Sequence, residues 1–291
     1  MLYQITHQIT YRYAEPVGLE PHTLRLRPRS DNTQKLHSFR LTVEPTPAGI
    51  SEAIDLDGNA IAQVWFQSPT DRLIVTAISE VETFRTNPFD FLLAPWATQL
   101  PIDYPTSMLV QLQPYLGGYL GAIAGGTGFD PVAAQLAQEI AYTCDRQIVS
   151  FLGTLNQRIY ENCEYILRET GDPFPPSITW TQKAGTCRDF ALLFMECCRS
   201  LGLAARFVSG YQEGDPESEK HLHAWVEVYL PAAGWRGYDP TQGLAVSDRH
   251  IPLVASPFPN MTTPATGKLK TSNVRSTMTY DLAILANRER G

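Results

Sequence analysis

The sequence predicts an α+β protein in which an antiparallel β domain precedes a domain built from helices first and strands after. Three observations carry this: period-two alternation near the amino terminus, helical spacing from Pro131 onward, and a return to strand character after Gly202. Length agrees, since 291 residues with 43% hydrophobic content suffice for roughly two domain cores.

Tyr3, Ile5, His7, Ile9, Tyr11 and Tyr13 alternate with Gln4, Thr6, Gln8, Thr10 and Arg12, the pattern of a half-buried strand. Further strands are expected at 24–27, 39–43, 61–66 and 73–84, separated by turn material such as Pro45-Thr46-Pro47 and Asp55-Leu56-Asp57-Gly58-Asn59. Residues 1–97 therefore read as a β-rich domain. The stretch 98–130, with Pro101, Pro105, Pro114, Gly117, Gly118, Gly121, Gly125, Gly126 and Gly128, reads as a connection. It is no phosphate loop, because neither G-x-G-x-x-G nor a closing G-K-[ST] is present.

Val132, Leu136, Ile140 and Cys144 recur at helical spacing, and so do Leu152, Leu155, Ile159 and Cys163. A third helix begins at Cys187, with Phe190, Ala191, Phe194, Met195, Cys198 and Leu201 on its face and Gly202 placed to stop it. Strands follow at 206–211, 223–230 and 235–239. These elements define a core over 131–255.

A formal charge of −7 gives no global support for binding nucleic acid, and an anionic membrane surface repels it. No signal-like or membrane-length apolar run is present, so a cytoplasmic location is expected. Cys144, Cys163, Cys187, Cys197 and Cys198 are odd in number and form no C-x-x-C pair, which argues against a disulfide framework or zinc knuckle. A metal site would need Cys187, His221 and His223 together, with no water-activating carboxylate motif beside them. Neither metal nor cofactor is expected.

The chemistry concentrates at Cys187. Thr186 and Asp189 form a Thr-x-x-Asp capping pattern, which makes Cys187 the first helical residue. Unpaired N–H groups and the positive end of the helix dipole favour a thiolate there, and the same N–H groups can receive an oxyanion. The base would be His223, which alternation places on one strand face with Trp225, Glu227 and Tyr229. Asp239, at the end of the strand expected at 235–239, is the candidate to hold the imidazole tautomer. Trp180 and Gln182 are candidates for a second oxyanion donor beside the Cys187 N–H. Asp189 reads as a cap, Cys197 and Cys198 as packing residues, and His221 as a loop or cleft-entrance side chain. Glu227 reads equally as a partner of the histidine face or a surface carboxylate.

The run Gly185-Thr186-Cys187-Arg188-Asp189-Phe190-Ala191, then Arg199 through Tyr211, resembles the core of the bacterial transglutaminase-like superfamily. His223-Ala224-Trp225-Val226-Glu227-Val228-Tyr229 and Gly234-Trp235 with Tyr238-Asp239-Pro240-Thr241 resemble its other two blocks. Tyr11-Arg12-Tyr13, Pro21-His22, Leu24-Arg25-Leu26-Arg27-Pro28 and Asp57-Gly58-Asn59 resemble the β domain that accompanies this core in many bacterial members. The resemblance implies a papain-like, transglutaminase-like α+β core with Cys187 as nucleophile, His223 as general base and acid, and Asp239 orienting it. It also implies that 256–291 packs back on the other domains. Ser256-Pro257-Phe258-Pro259-Asn260 replaces the segment usual after His250, which bears on the acyl pocket and substrate preference.

The expected activity is thioester-forming acyl transfer by a cysteine peptidase or amidase acting on a peptide or protein amide. Transfer to an amine, as by a transglutaminase, is the alternative. A non-catalytic binding or assembly module is the third reading.

Overall fold

The alternation near the amino terminus becomes β1 (Leu2–Val17), which buries Tyr3, Ile5, His7 and Ile9 and exposes Gln4, Thr6 and Gln8. This holds in a computed structural model that describes residues 1–119, 128–168, 171–214, 220–270 and 274–287. β2 (His22–Leu24), β3 (Gln34–Glu44), β4 (Gly49–Ile54), β5 (Ala60–Trp65) and β6 (Thr70–Thr83) follow. The strand expected at 24–27 lies earlier, and β4 lies between the two turn segments, where no strand is expected. β4 is exposed at five of its six positions, so no apolar alternation marks it.

Residues 98–119 are part of the packed body. Leu100, Ile102, Tyr104 and Leu112 are buried in the same cluster as the later helices, and α1 (Thr106–Leu112) lies among them. Gly121, Gly125 and Gly126 of the expected connection lie outside the described residues. Next come α2 (Pro131–Thr143), α3 (Ile148–Asn162), β7 (Glu164–Tyr165), α4 (Pro176–Gln182), β8 (Ala184–Gly185) and α5 (Cys187–Ser200). Asp130 caps α2 by accepting from the N–H of Val132 and Ala133 at 3.0 and 3.1 Å. Glu196, buried in α5, accepts from the N–H of Tyr119 and Asp130 at 2.8 and 2.7 Å, tying both flanks of 120–129 to that helix.

β9 (Ala205–Gln212), β10 (His223–Leu230), β11 (Gly234–Asp239), β12 (Leu244–Ala245) and β13 (His250–Ser256) form one antiparallel sheet among the described residues, in the order β12-β11-β10-β9-β13. α5 packs against β9 and β10 and is flanked by α2, α3 and α4. Nearly every residue of α5 is buried, which suits a central helix. β14 (Ala265–Thr266) joins β2, β5 and β4, whereas β15 (Ser276–Asn287) runs antiparallel beside β1 in the order β15-β1-β6-β3. The α+β class holds, with the carboxy-terminal strands completing the amino-terminal sheets. At the junction Tyr3, Ile5, Val81 and Leu282 pack on Tyr211, Ile251, Leu253 and Val254 of the core sheet. Among the described residues no helix is long and apolar enough to cross a membrane.

Candidate active site

α4 ends at Lys183, whose φ of 56° turns the chain into β8 and on to the start of α5. Gly185 is required there, because a Cβ would stand 2.9 Å from the Asp189 Cβ and 3.1 Å from the Phe190 ring. Thr186 caps α5, and the reciprocal bond is present: Asp189 Oδ2 accepts from the Thr186 N–H at 2.7 Å. Asp189 Oδ1 accepts from Arg168 Nη2 and from the Phe174 N–H, each at 2.6 Å. With both oxygens occupied and no exposure, Asp189 is a structural carboxylate that fixes where the helix begins. Cys187 is thereby held as the first residue of α5, with a backbone N–H that has no carbonyl one turn earlier.

His223 opens β10 and is paired across the sheet with Gly210 of β9. A Cβ on Gly210 would lie 2.3 Å from the Ile251 carbonyl and 2.6 Å from the Trp225 ring, so this close approach needs glycine. His223 Nε2–H donates to Asp239 Oδ2 at 2.8 Å, and Cys187 lies by the same imidazole and favours its charged form. With Nε2 committed to Asp239, Nδ1 is the nitrogen left for Cys187. Cys187, His223 and Asp239 thus stand in one row, with His223 hydrogen-bonded to Asp239. Burial alone would lower the His223 pKa, but the Asp239 charge and hydrogen bond, with Cys187, push it up to about 10. Burial likewise opposes the Asp239 charge, yet His223 and a second histidine hold its carboxyl well below the usual range.

That second histidine is His250, the first residue of β13. Its Nε2–H donates to the same Asp239 Oδ2 at 3.0 Å, and its ring meets Trp225 edge-on at 5.2 Å. The Thr241 N–H occupies Asp239 Oδ1 at 2.9 Å. His250 Nδ1 is buried without a hydrogen-bond partner among the described residues, which fits the Nε2–H tautomer. In the sequence His250 stands only as a landmark for the segment that follows it. The signal was there, a histidine opening the apolar run Ile251 to Ala255, but its target came from sheet order. His223, Asp239 and His250 lie close enough to hold a metal ion; in the structure their nitrogens instead donate to one carboxylate oxygen.

Trp180 and Gln182 are not brought to the cleft. Trp180 packs half-buried against the main core, and Gln182 is exposed. Glu227 is ion-paired with Arg206 at 2.6 Å, and Arg206 stacks over Trp235, so neither reading given for Glu227 describes it. His221 lines the cleft and hydrogen-bonds the Tyr280 hydroxyl. All five cysteines are unbridged. Burial pushes the Cys163 thiol up to about 11 and those of Cys197 and Cys198 well above the usual range. Cys187 alone among these four faces the histidine.

A cavity of about 440 Å³ opens over Cys187 and His223, within the range of small-ligand sites. Pro259 and Asn260 line it, so the segment after His250 does shape the site.

Residues 3–82 match the bacterial transglutaminase-like N-terminal region, and residues 134–240 match the transglutaminase-like superfamily core. An uncharacterized protein of Mycobacterium tuberculosis is 29% identical over 267 residues, spanning 86% of this chain and 81% of its own. A protein-glutamine gamma-glutamyltransferase of Pseudomonas aeruginosa is 32% identical over 127 residues, 40% of this chain and 19% of that protein. The crystal structure of a candidate cysteine protease from Cytophaga hutchinsonii has the same fold, with a TM-score of 0.73 at 20% identity over 99% of this chain and 92% of that one. The chain belongs to the transglutaminase-like superfamily, as a member whose core follows the bacterial transglutaminase-like N-terminal region.

Proposed function

We propose that this protein hydrolyses a peptide or protein amide through a thioester on Cys187. The observation that carries the reading is the row Cys187, His223, Asp239 at the floor of an open cleft. The Cys187 thiol gives its proton to His223, and Sγ attacks the amide carbonyl carbon, forming the C–S bond as the carbonyl electrons move to oxygen. The Cys187 N–H at the helix start faces the developing negative charge. On collapse the C–N bond breaks, and His223 gives its proton to the leaving amine. Water then attacks the thioester as His223 takes its proton; the C–S bond breaks to release a carboxylic acid, and His223 returns the proton to Sγ. Asp239 keeps the imidazole oriented through both halves.

Water is the favoured acceptor because the cleft offers little to a lysine ammonium. Among the described lining residues the one carboxylate is Asp172, and it stands beside Arg168 and Arg188. Transfer to an amine is the second reading, supported by the Pseudomonas relative named as a glutamyltransferase. A glutamine peptide incubated with and without a primary amine separates them. Hydrolysis predicts the same acid product in both; an amine-linked product that dominates overturns it in favour of transfer.

His250 enters as a positioning residue. His250→Phe removes one of two histidine donors from Asp239 and is expected to lower kcat by roughly ten- to a hundredfold with KM little changed. His250→Gln, which can still present an N–H, restores part of the rate. Equal losses in the two variants, or a loss confined to KM, contradict this role.

A further inference from the structure

The face of β1 that carries Tyr3 and Ile5 onto the core sheet does not end at that contact. Further along, Ile9 is paired with Tyr280 and Tyr11 with Met278, and all four line the cavity above Cys187. The amino-terminal sheet is thus a wall of the site. Tyr165, on the short β7 held parallel to β8, and Leu167 line the same cavity. These apolar side chains are not buried by the fold: Tyr165 is 46% exposed, Leu167 58% and Met278 37%. Contiguous exposed apolar surface beside a nucleophile marks a binding surface.

The β-domain wall is also uncharged. Burial pulls the His7 pKa down to about 4 and raises that of Tyr11. Arg168 is held by Asp189, and Arg188 donates to the carbonyls of Gly171 and Arg168, so both guanidiniums are engaged at the rim. A peptide whose carbonyl rests on the Cys187 Sγ enters the cavity that these apolar side chains line.

Resting on the thioester reading of Cys187, we propose that Tyr11 and Met278, together with Tyr165 and Leu167 of the same cavity lining, form a subsite for a bulky apolar or aromatic side chain of the acyl-donor peptide. The amino-terminal β domain thereby takes part in substrate selection. The occupant is the substrate residue next to the one that is acylated.

Two peptidyl chloromethyl ketones that differ only in phenylalanine or glycine at that neighbouring position provide the test, with alkylation of Cys187 followed by mass spectrometry. Each rate is divided by that of iodoacetamide on the same variant, so that the nucleophile and the wall are read separately. The phenylalanine probe is expected to react at least about tenfold faster than the glycine probe on the unaltered protein. Met278→Asp and Tyr11→Ala are each expected to bring that ratio to within about threefold of unity. Met278 is the more exposed position, so its variant guards against a folding defect at Tyr11. A ratio near unity in the unaltered protein, with iodoacetamide still selecting Cys187, overturns the subsite and leaves the nucleophile standing. A ratio that survives both substitutions overturns the assignment to this wall. Failure of iodoacetamide to select Cys187 overturns the thiol reading on which both depend.

Discussion

Cys187→Ala is expected to lower amide hydrolysis by on the order of 10⁴- to 10⁶-fold, because the covalent route through the thioester disappears. The substitution removes one sulfur from a site whose position is fixed by other groups. Thr186, Asp189 and Arg168 still set the start of α5, so the stability change should stay within about 1 kcal/mol. A comparison of kcat/KM with the thermal midpoint checks both halves. Retained hydrolysis in a folded Cys187→Ala protein contradicts the nucleophile. A lost midpoint instead assigns the cysteine to packing.

Asp239→Asn is expected to cost roughly 10³- to 10⁴-fold in kcat, through loss of the orienting charge and of the correct imidazole tautomer. Asp239 receives three donors, from His223, His250 and the Thr241 N–H. An amide has one oxygen to offer them and turns its own N–H groups toward at least one. Stability falls too, and its pH dependence follows from the two shifts. The raised His223 pKa stabilises the fold fully below about pH 6.5, and this contribution is lost as pH rises toward about 10. The lowered Asp239 pKa contributes fully above about pH 4 and is lost in stronger acid. The pair therefore stabilises most between about pH 4 and 6.5. The melting difference between the unaltered protein and Asp239→Asn should be larger at pH 6 than at pH 9.5. A difference that grows toward pH 9.5 contradicts the charge assignment.

The sequence makes some elements legible for physical reasons that others lack. β1 buries one side in a regular period, and the Thr186 to Asp189 spacing announces where α5 starts. β13 is buried at all seven positions and carries Pro252, so it shows neither alternation nor ordinary strand composition. α4 has seven residues behind Pro173, Pro175 and Pro176, too few for a period to register. β15 is mostly exposed along its length, and its place beside β1 is a long-range pairing that no local pattern encodes.

The site divides in the same way. Cys187, His223 and Asp239 sit at recognisable ends of elements, where backbone geometry itself creates the chemistry. His250 reaches Asp239 because β13 adds to the edge of the sheet beside β9, which local sequence does not dictate. Likewise, the wall from β1 and β15 depends on how the amino-terminal sheet meets the core sheet. Trp180 and Gln182 precede the nucleophile closely in sequence, but the turn through Lys183 leaves them on α4 and away from the cleft lining.

The central claim is a covalent acyl intermediate on Cys187. Acid-quenched mixtures with an activated ester substrate, digested and read by mass spectrometry, test it most directly. The expected result is an acyl mass increment on the peptide containing Cys187, absent from Cys187→Ala and discharged by water over time. An increment on another cysteine, or turnover with no acylated Cys187 at any quench time, contradicts the account.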